Sequence, residues 1–132
     1  MASAASPRMP KQRPKYLNLL QIRMPVPAVI SIMHRVSGAI LFLVIPLLLY
    51  LLQMSLESQQ GFAAIRSAFA APLAKLVLIG LLWGFLHHFC AGIRHLILDL
   101  DIGTDLAPSR VSSWAVIVVS VALTLACGVL IW

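Results

Sequence analysis

Three long stretches of the chain carry no Asp, Glu, Lys or Arg. The first is the 21 residues between Arg35 and Glu57, the second the 18 between Lys75 and Arg94, and the third the 22 after Arg110. A helix needs about 20 apolar residues to cross a hydrocarbon core of ~30 Å, and each run meets or nearly meets that length. Unpaired backbone groups in lipid cost several kcal/mol each, and three strands cannot close a barrel, so the pattern predicts helices. The fold class expected is an all-α membrane protein with three transmembrane helices. Pro46 falls inside the first run, and the polar QMSLESQQ at 53–60 follows it. Residues 61–69 read as a short surface helix, and Pro72 suits the first turn of the second span. Gly103 is a candidate stop, and Ser109, Ser112 or Ser113 a candidate cap for the third span. Pro14, Pro25 and Pro27 make residues 13–27 extended or only briefly helical. The expected organisation is a basic segment, 1–27, at the cytoplasmic surface and a transmembrane domain, 28–132. Its spans are about 28–53, 72–100 and 110–132.

Composition strengthens this reading. Apolar residues make up 61% of the 132 residues, and the mean hydropathy is +0.96. A soluble chain this short cannot bury that much apolar surface within itself, whereas lipid covers it. The net charge of +6 would fit a nucleic-acid binder only if it were spread over a surface. Instead Arg8, Lys11, Arg13, Lys15 and Arg23 all precede the first span, which places the N-terminus in the cytoplasm. Nucleic acid is not an expected partner; the lipid membrane is. Residues 1–15 lack the apolar core of a secretory signal. They are basic, Ala/Ser-rich and free of acids, as mitochondrial presequences are, but so short a presequence leaves little before Arg13-Pro14. The bacterial inner membrane is the expected location, ahead of the mitochondrial one. Cys90 and Cys127 both fall inside spans, where neither a disulfide nor a metal motif is expected.

Polar groups within spans are costly and mark candidate chemistry. Ser31, His34, Arg35 and Gly38 share one helical face at 100° per residue. That face offers a hydroxyl, an imidazole, a permanent cation and room for close approach, which suits an anionic or carbonyl-bearing ligand. The competing reading is that His34 and Arg35 snorkel to the interface. The second cluster runs from His87 to His95, with Asp99 beyond. His88 lies about 16 Å along the helix from Asp99, at mid-membrane depth, and shares a face with Gly92 and His95. An imidazole there needs a hydrogen-bond partner or a metal. Haem iron takes an axial imidazole, and Gly92 would admit a porphyrin edge. Arg94 and His95 are candidates for the haem propionates. The alternative is a His hydrogen-bonded between helices. His87 points about 100° away from His88. His34, near a helix end, and His88, at mid-depth, do not supply opposite axial ligands, so a haem on His88 would take its second ligand from another chain. Asp99, Asp101 and Asp105 read as a solvated loop, with Asp99 paired to His95, rather than as a metal site.

The stretch RPKYLNLLQIRMPVPAVISIMHRVSG resembles the N-terminal signature of the succinate dehydrogenase cytochrome b subunit family. It carries Arg13-Pro14 and the Ser-x-x-His-Arg-x-Ser-Gly core from Ser31 to Gly38. A second signature, His-x-x-x-Gly-x-Arg-His-x-x-x-Asp, matches His88, Gly92, Arg94, His95 and Asp99. The doubled histidine departs from the family pattern, so the match of His88 rests on its spacing to Gly92. The resemblance implies half of a two-subunit haem-binding helical bundle, the membrane anchor of succinate:quinone oxidoreductase in the respiratory electron-transport chain. It implies haem b, with His88 as axial iron ligand and His34, Arg35 and His95 on the propionate side. It implies a ubiquinone site formed in part by Ser31 and Arg35. The partners implied are a second membrane-anchor subunit, an iron–sulfur subunit carrying clusters and a flavoprotein subunit carrying FAD, so this chain alone is not expected to be catalytic. Two other readings stay open: a fumarate reductase anchor, and a small non-redox transport or scaffold subunit. The second would want an acidic residue in mid-membrane, and the one acid within a span, Asp99, stands at the end of the second.

Overall fold

The computed structural model describes residues 23–132. Four helices follow one another: α1 Val26–Glu57, α2 Gln59–Ala70, α3 Pro72–Asp99 and α4 Leu106–Ile131. Of these, α1, α3 and α4 are long and apolar enough to cross a membrane. The chain is an all-α, multi-pass membrane protein. At 1.5 Å per residue α1 is about 48 Å long and α4 about 39 Å, so each exceeds the hydrocarbon core.

Local chemistry sets most of the boundaries. Pro25 stands at the cap of α1, and Pro27 falls in its first turn, where its missing N–H costs nothing. The helix thus begins before the run of prolines ends, and continues through Pro46 to Glu57. Ser58 starts α2 by accepting a hydrogen bond from the Gly61 amide at 2.9 Å. Pro72 is at the first turn of α3. The α3–α4 turn relies on left-handed backbone at Asp101 (φ 58°) and Gly103 (φ 74°). The cap of α4 is Asp105, not one of the serines proposed from sequence. Ser109, Ser112 and Ser113 are already helical, and the Ser113 hydroxyl donates back to the Ser109 carbonyl at 2.7 Å. The basic 1–27 segment expected from sequence lies largely outside the described residues, as does Arg13-Pro14.

Packing centres on α3, which meets both α1 and α4, while α1 and α4 touch less. Ile30, Ala91 and Val116 form the buried centre, with Val26, Met33, Cys90 and Ile117 against it. Small polar residues line the α4 side: Ser113, Ser120 and Thr124 are buried. Each returns its hydroxyl proton to a carbonyl of its own helix, so the helices approach closely without orphaned groups. At the opposite end, Lys75 Nζ donates to the Trp132 carbonyl at 2.8 Å and sits 5.4 Å from the Trp132 ring centre. That contact ties the start of α3 to the end of α4. The most apolar stretch of α1 buries none of its residues inside the chain; its surface is left for lipid or a partner.

Candidate functional site

The two sequence clusters meet across the α1–α3 interface. The rings of His34 and His88 stack with centroids 4.1 Å apart and planes 9° from parallel. His95 lies beside them, 5.1 Å from His34. His34, eight residues into α1, therefore shares the depth of His88, which corrects the expectation that the two lie at different depths. The pairing holds because His88 Nδ1 lies 2.9 Å from the His34 carbonyl, a contact across antiparallel helices that helix position alone does not reveal. Two imidazoles stacked face to face present their faces, not opposed nitrogens, to each other. In this arrangement the two rings do not bracket one iron between their nitrogens.

The hydrogen bonds at His88 fix its tautomer. A carbonyl oxygen only accepts, so the proton must be on Nδ1, which donates to the His34 carbonyl. The Ser37 hydroxyl donates to that same carbonyl at 2.9 Å and lies 3.3 Å from His88 Nδ1. Nε2 is then the nitrogen with the free lone pair. Metal-bound imidazoles characteristically give their other N–H to a carbonyl or carboxylate, which orients the ring and raises its basicity. The residues present therefore fit a haem iron at His88 Nε2. Glycines make the space: a Cβ on Gly38 would lie 2.7 Å from His88 Cε1, and one on Gly92 would lie 3.5 Å from His34 Nε2.

His87 differs in every respect. It is 1% exposed, and both its ring nitrogens lack a hydrogen-bond partner among the described residues. It turns into the buried stripe of α3 with Ala91 and Arg94, and its ring centre lies 5.5 Å from that of Trp83. With Met33, Ser37, Gly80 and Gly84 it borders an apolar cavity of about 290 Å³ between α1 and α3. Nothing fixes its tautomer as the His34 carbonyl fixes that of His88.

Ser31 and Arg35 lie one turn apart on the His34 side of α1, Ser31 half-buried and Arg35 exposed. Arg94 does not join this site. It turns to α4, where Nε donates to the Ser112 hydroxyl at 3.0 Å and Nη2 to the Ser109 hydroxyl at 2.9 Å. Six residues from His88 is 600° of helix, a net 120° away, whereas seven is within 20°. The expected role of Arg94 on propionates is thus corrected, and His95 keeps its place beside His34. Among the described residues no group of three or more His, Cys, Asp or Glu is placed to hold a metal ion. The acidic loop makes no such site, and the expected Asp99–His95 pair does not form. Ser37 is the residue that the sequence reading passed over. Its signal was its place inside Ser-x-x-His-Arg-x-Ser-Gly.

The family described as succinate dehydrogenase/fumarate reductase transmembrane subunit matches residues 9–127. The chain belongs to that family. Its relatives include the succinate dehydrogenase cytochrome b556 subunit of Coxiella burnetii, 37% identical over 94% of this chain and 100% of the relative. The protein of that name from Paracoccus denitrificans is 33% identical over 84% of this chain and 85% of its own length. The Rickettsia typhi protein of the same name is 28% identical over 86% and 89%. The Ser31–Gly38 core in α1 and the His88–Asp99 signature in α3 fall inside the span that the succinate dehydrogenase/fumarate reductase transmembrane family covers.

Proposed function

We propose that this chain is the membrane-anchor, haem b-binding subunit of a succinate dehydrogenase, with its site on the His34–His88 face. The observation that carries the reading is the His88 Nδ1 contact to the His34 carbonyl, which leaves the Nε2 lone pair free for a metal. The relatives' shared name, cytochrome b556 subunit, supports it. His88 would hold the haem iron from this chain, and a second anchor subunit would supply the other ligand. His34, Arg35 and His95 line the propionate side. Haem b, when bound, supplies a one-electron carrier at mid-membrane. A flavoprotein partner removes two electrons and two protons from succinate to give fumarate, and the iron–sulfur clusters of another partner carry the electrons to ubiquinone.

Ubiquinone takes up two electrons and two protons at the cytoplasmic side of the bacterial inner membrane. Arg35 stabilises the negative charge that develops on a quinone oxygen, and Ser31 donates a hydrogen bond to a carbonyl oxygen. Arg35 is exposed and Ser31 half-buried on the same face, so both are accessible to a ligand held between this chain and its partners. The basic 1–27 segment serves this cytoplasmic side. The name succinate dehydrogenase on the relatives favours succinate oxidation over a fumarate reductase role. A transport role lacks its mid-membrane acid: Glu57 and Asp99 are the last residues of α1 and α3.

The test is a reduced-minus-oxidised visible spectrum of the complex purified through a tag on this chain. A b-type α-band should vanish in His88→Ala and persist in His87→Ala. The reverse pattern would transfer the ligand to His87, and no band in an intact wild-type complex would remove haem from the proposal. In the same preparations, Ser31→Ala and Arg35→Ala should cut quinone reduction at least tenfold while sparing succinate oxidation by an artificial acceptor. Equal loss of both activities would remove these residues from the quinone site.

A further inference from the structure

Arg94 is a permanent cation only 6% exposed, and its partners are all neutral. Nε donates to the Ser112 hydroxyl, and Nη2 to the Ser109 hydroxyl and, at 3.2 Å, to the Ser109 carbonyl. A guanidinium has five N–H donors; among the described residues Nη1 makes no hydrogen bond. The chain has four acidic side chains, Glu57, Asp99, Asp101 and Asp105, and all lie within the described residues. None of them reaches Arg94. Burying a charge is costly unless an opposite charge is close, so the compensating anion comes from outside this chain.

The surroundings indicate which anion. Arg94 lines a groove of about 400 Å³ between α3 and α4, bounded by Cys90, Ile97, Pro108, Val116 and Val119. Arg94 is five residues from the end of α3, about 8 Å along the axis, and Ser109 is in the first turn of α4. The cation thus stands near the polar boundary. Cys90 and Val119 continue the groove toward the bilayer centre as an apolar channel. One cation about 8 Å inside the end of α3, at the head of an apolar channel, suits a phospholipid whose phosphate enters the mouth of the groove. The groove also opens 120° around α3 from the His88 face, which a second anchor subunit is expected to cover. Basic pockets between transmembrane helices at this side characteristically take anionic lipid headgroups.

We propose that the α3–α4 groove is a binding site for an anionic phospholipid, its phosphate on Arg94 Nη1 and one acyl chain along Val116 and Val119. Ser109 and Ser112 hold the guanidinium in place and leave its free edge to the lipid. The site lies apart from haem and quinone and stands or falls independently of them.

Native mass spectrometry of the whole complex, exchanged into bilayer discs of equal phosphatidylglycerol and phosphatidylcholine, tests this. The wild type should retain one more phosphatidylglycerol per copy of this chain than Arg94→Gln does, and Arg94→Lys should retain it too. Equal retention in Arg94→Gln would overturn the proposal. A second arm uses the unaltered complex and so does not depend on assembly of the variant. Phosphatidylglycerol carrying a diazirine in its acyl chain should label the Val116–Val119 peptide severalfold more than the phosphatidylcholine probe. Equal labelling would overturn the proposal, as would carbodiimide cross-linking of Arg94→Lys to a carboxylate of another subunit.

Discussion

Neighbouring histidines on α3 have opposite fates because 100° of helix separates them. His87 enters the chain's own interior, where neither nitrogen finds a partner among the described residues. His88 reaches α1, where a backbone carbonyl sets its tautomer. That contact depends on Gly38. A methyl group there would come within 2.7 Å of the His88 ring, tighter than van der Waals contact allows, so the ring must move. Gly38→Ala should therefore lower the haem content of the purified complex by more than half, measured from the α-band. Gly84→Ala is the control, because a Cβ there meets nothing within 4 Å. Equal haem in Gly38→Ala and wild type would show that His88 is not held through this contact. Both changes replace glycine by a better helix former, so propensity does not distinguish them.

At the scale of elements, the corner between α1 and α2 is the tightest joint in the described chain. Ser58 caps α2 through the Gly61 amide, and this draws Gly61 onto the end of α1. A Cβ on Gly61 would overlap the Met54 carbonyl oxygen, a backbone atom that cannot swing aside. Gly61→Ala should destabilise this corner by about 1–3 kcal/mol, the usual cost of overpacking, despite its gain in helix propensity. A melting temperature of the detergent-purified complex at or above that of wild type would contradict this. Elsewhere joints are looser. Gly128 faces Ile79 at 3.9 Å from a built Cβ, an ordinary contact. The α3–α4 pair relies instead on hydroxyls, on Arg94 and on the Lys75–Trp132 contact at its far end.

For the whole molecule, orientation follows from the distribution of charge. Five basic residues precede the first span, whereas the 53–71 loop carries only Glu57 and Arg66. From the short-loop Lys/Arg bias we propose that the N-terminus and the α3–α4 turn face the cytoplasm and Trp132 the opposite side. Alkaline phosphatase fused after Trp132 should be active in a bacterial host, and a green fluorescent protein fused there should be dark. The opposite result would invert the membrane topology, and with it the cytoplasmic placement of the quinone site. Large apolar side chains along all three spans are exposed, among them Phe42, Leu43, Leu96 and Leu125. Among the described residues the buried apolar centre is small, Ile30, Ala91 and Val116, against this much exposed apolar surface.

Sequence by itself determined the helices, their number and the two faces that carry polar chemistry. Apolar run length and 100° periodicity are local properties, and lipid enforces them without reference to the rest of the fold. The same arithmetic separated His88 from His87; applied to Arg94 it would have put that residue 120° from His88, against the propionate role read for it from the sequence. Only the tertiary structure decided what each face meets. It brought His34 to the depth of His88, made a backbone carbonyl the partner that fixes the tautomer, and gave Ser37 and Gly38 their roles. It also turned Arg94 to the serines of α4 and moved the start of α4 to Leu106. These depend on the relative height and rotation of antiparallel helices, which are set by close packing between side chains distant in sequence and leave no periodic trace along the chain.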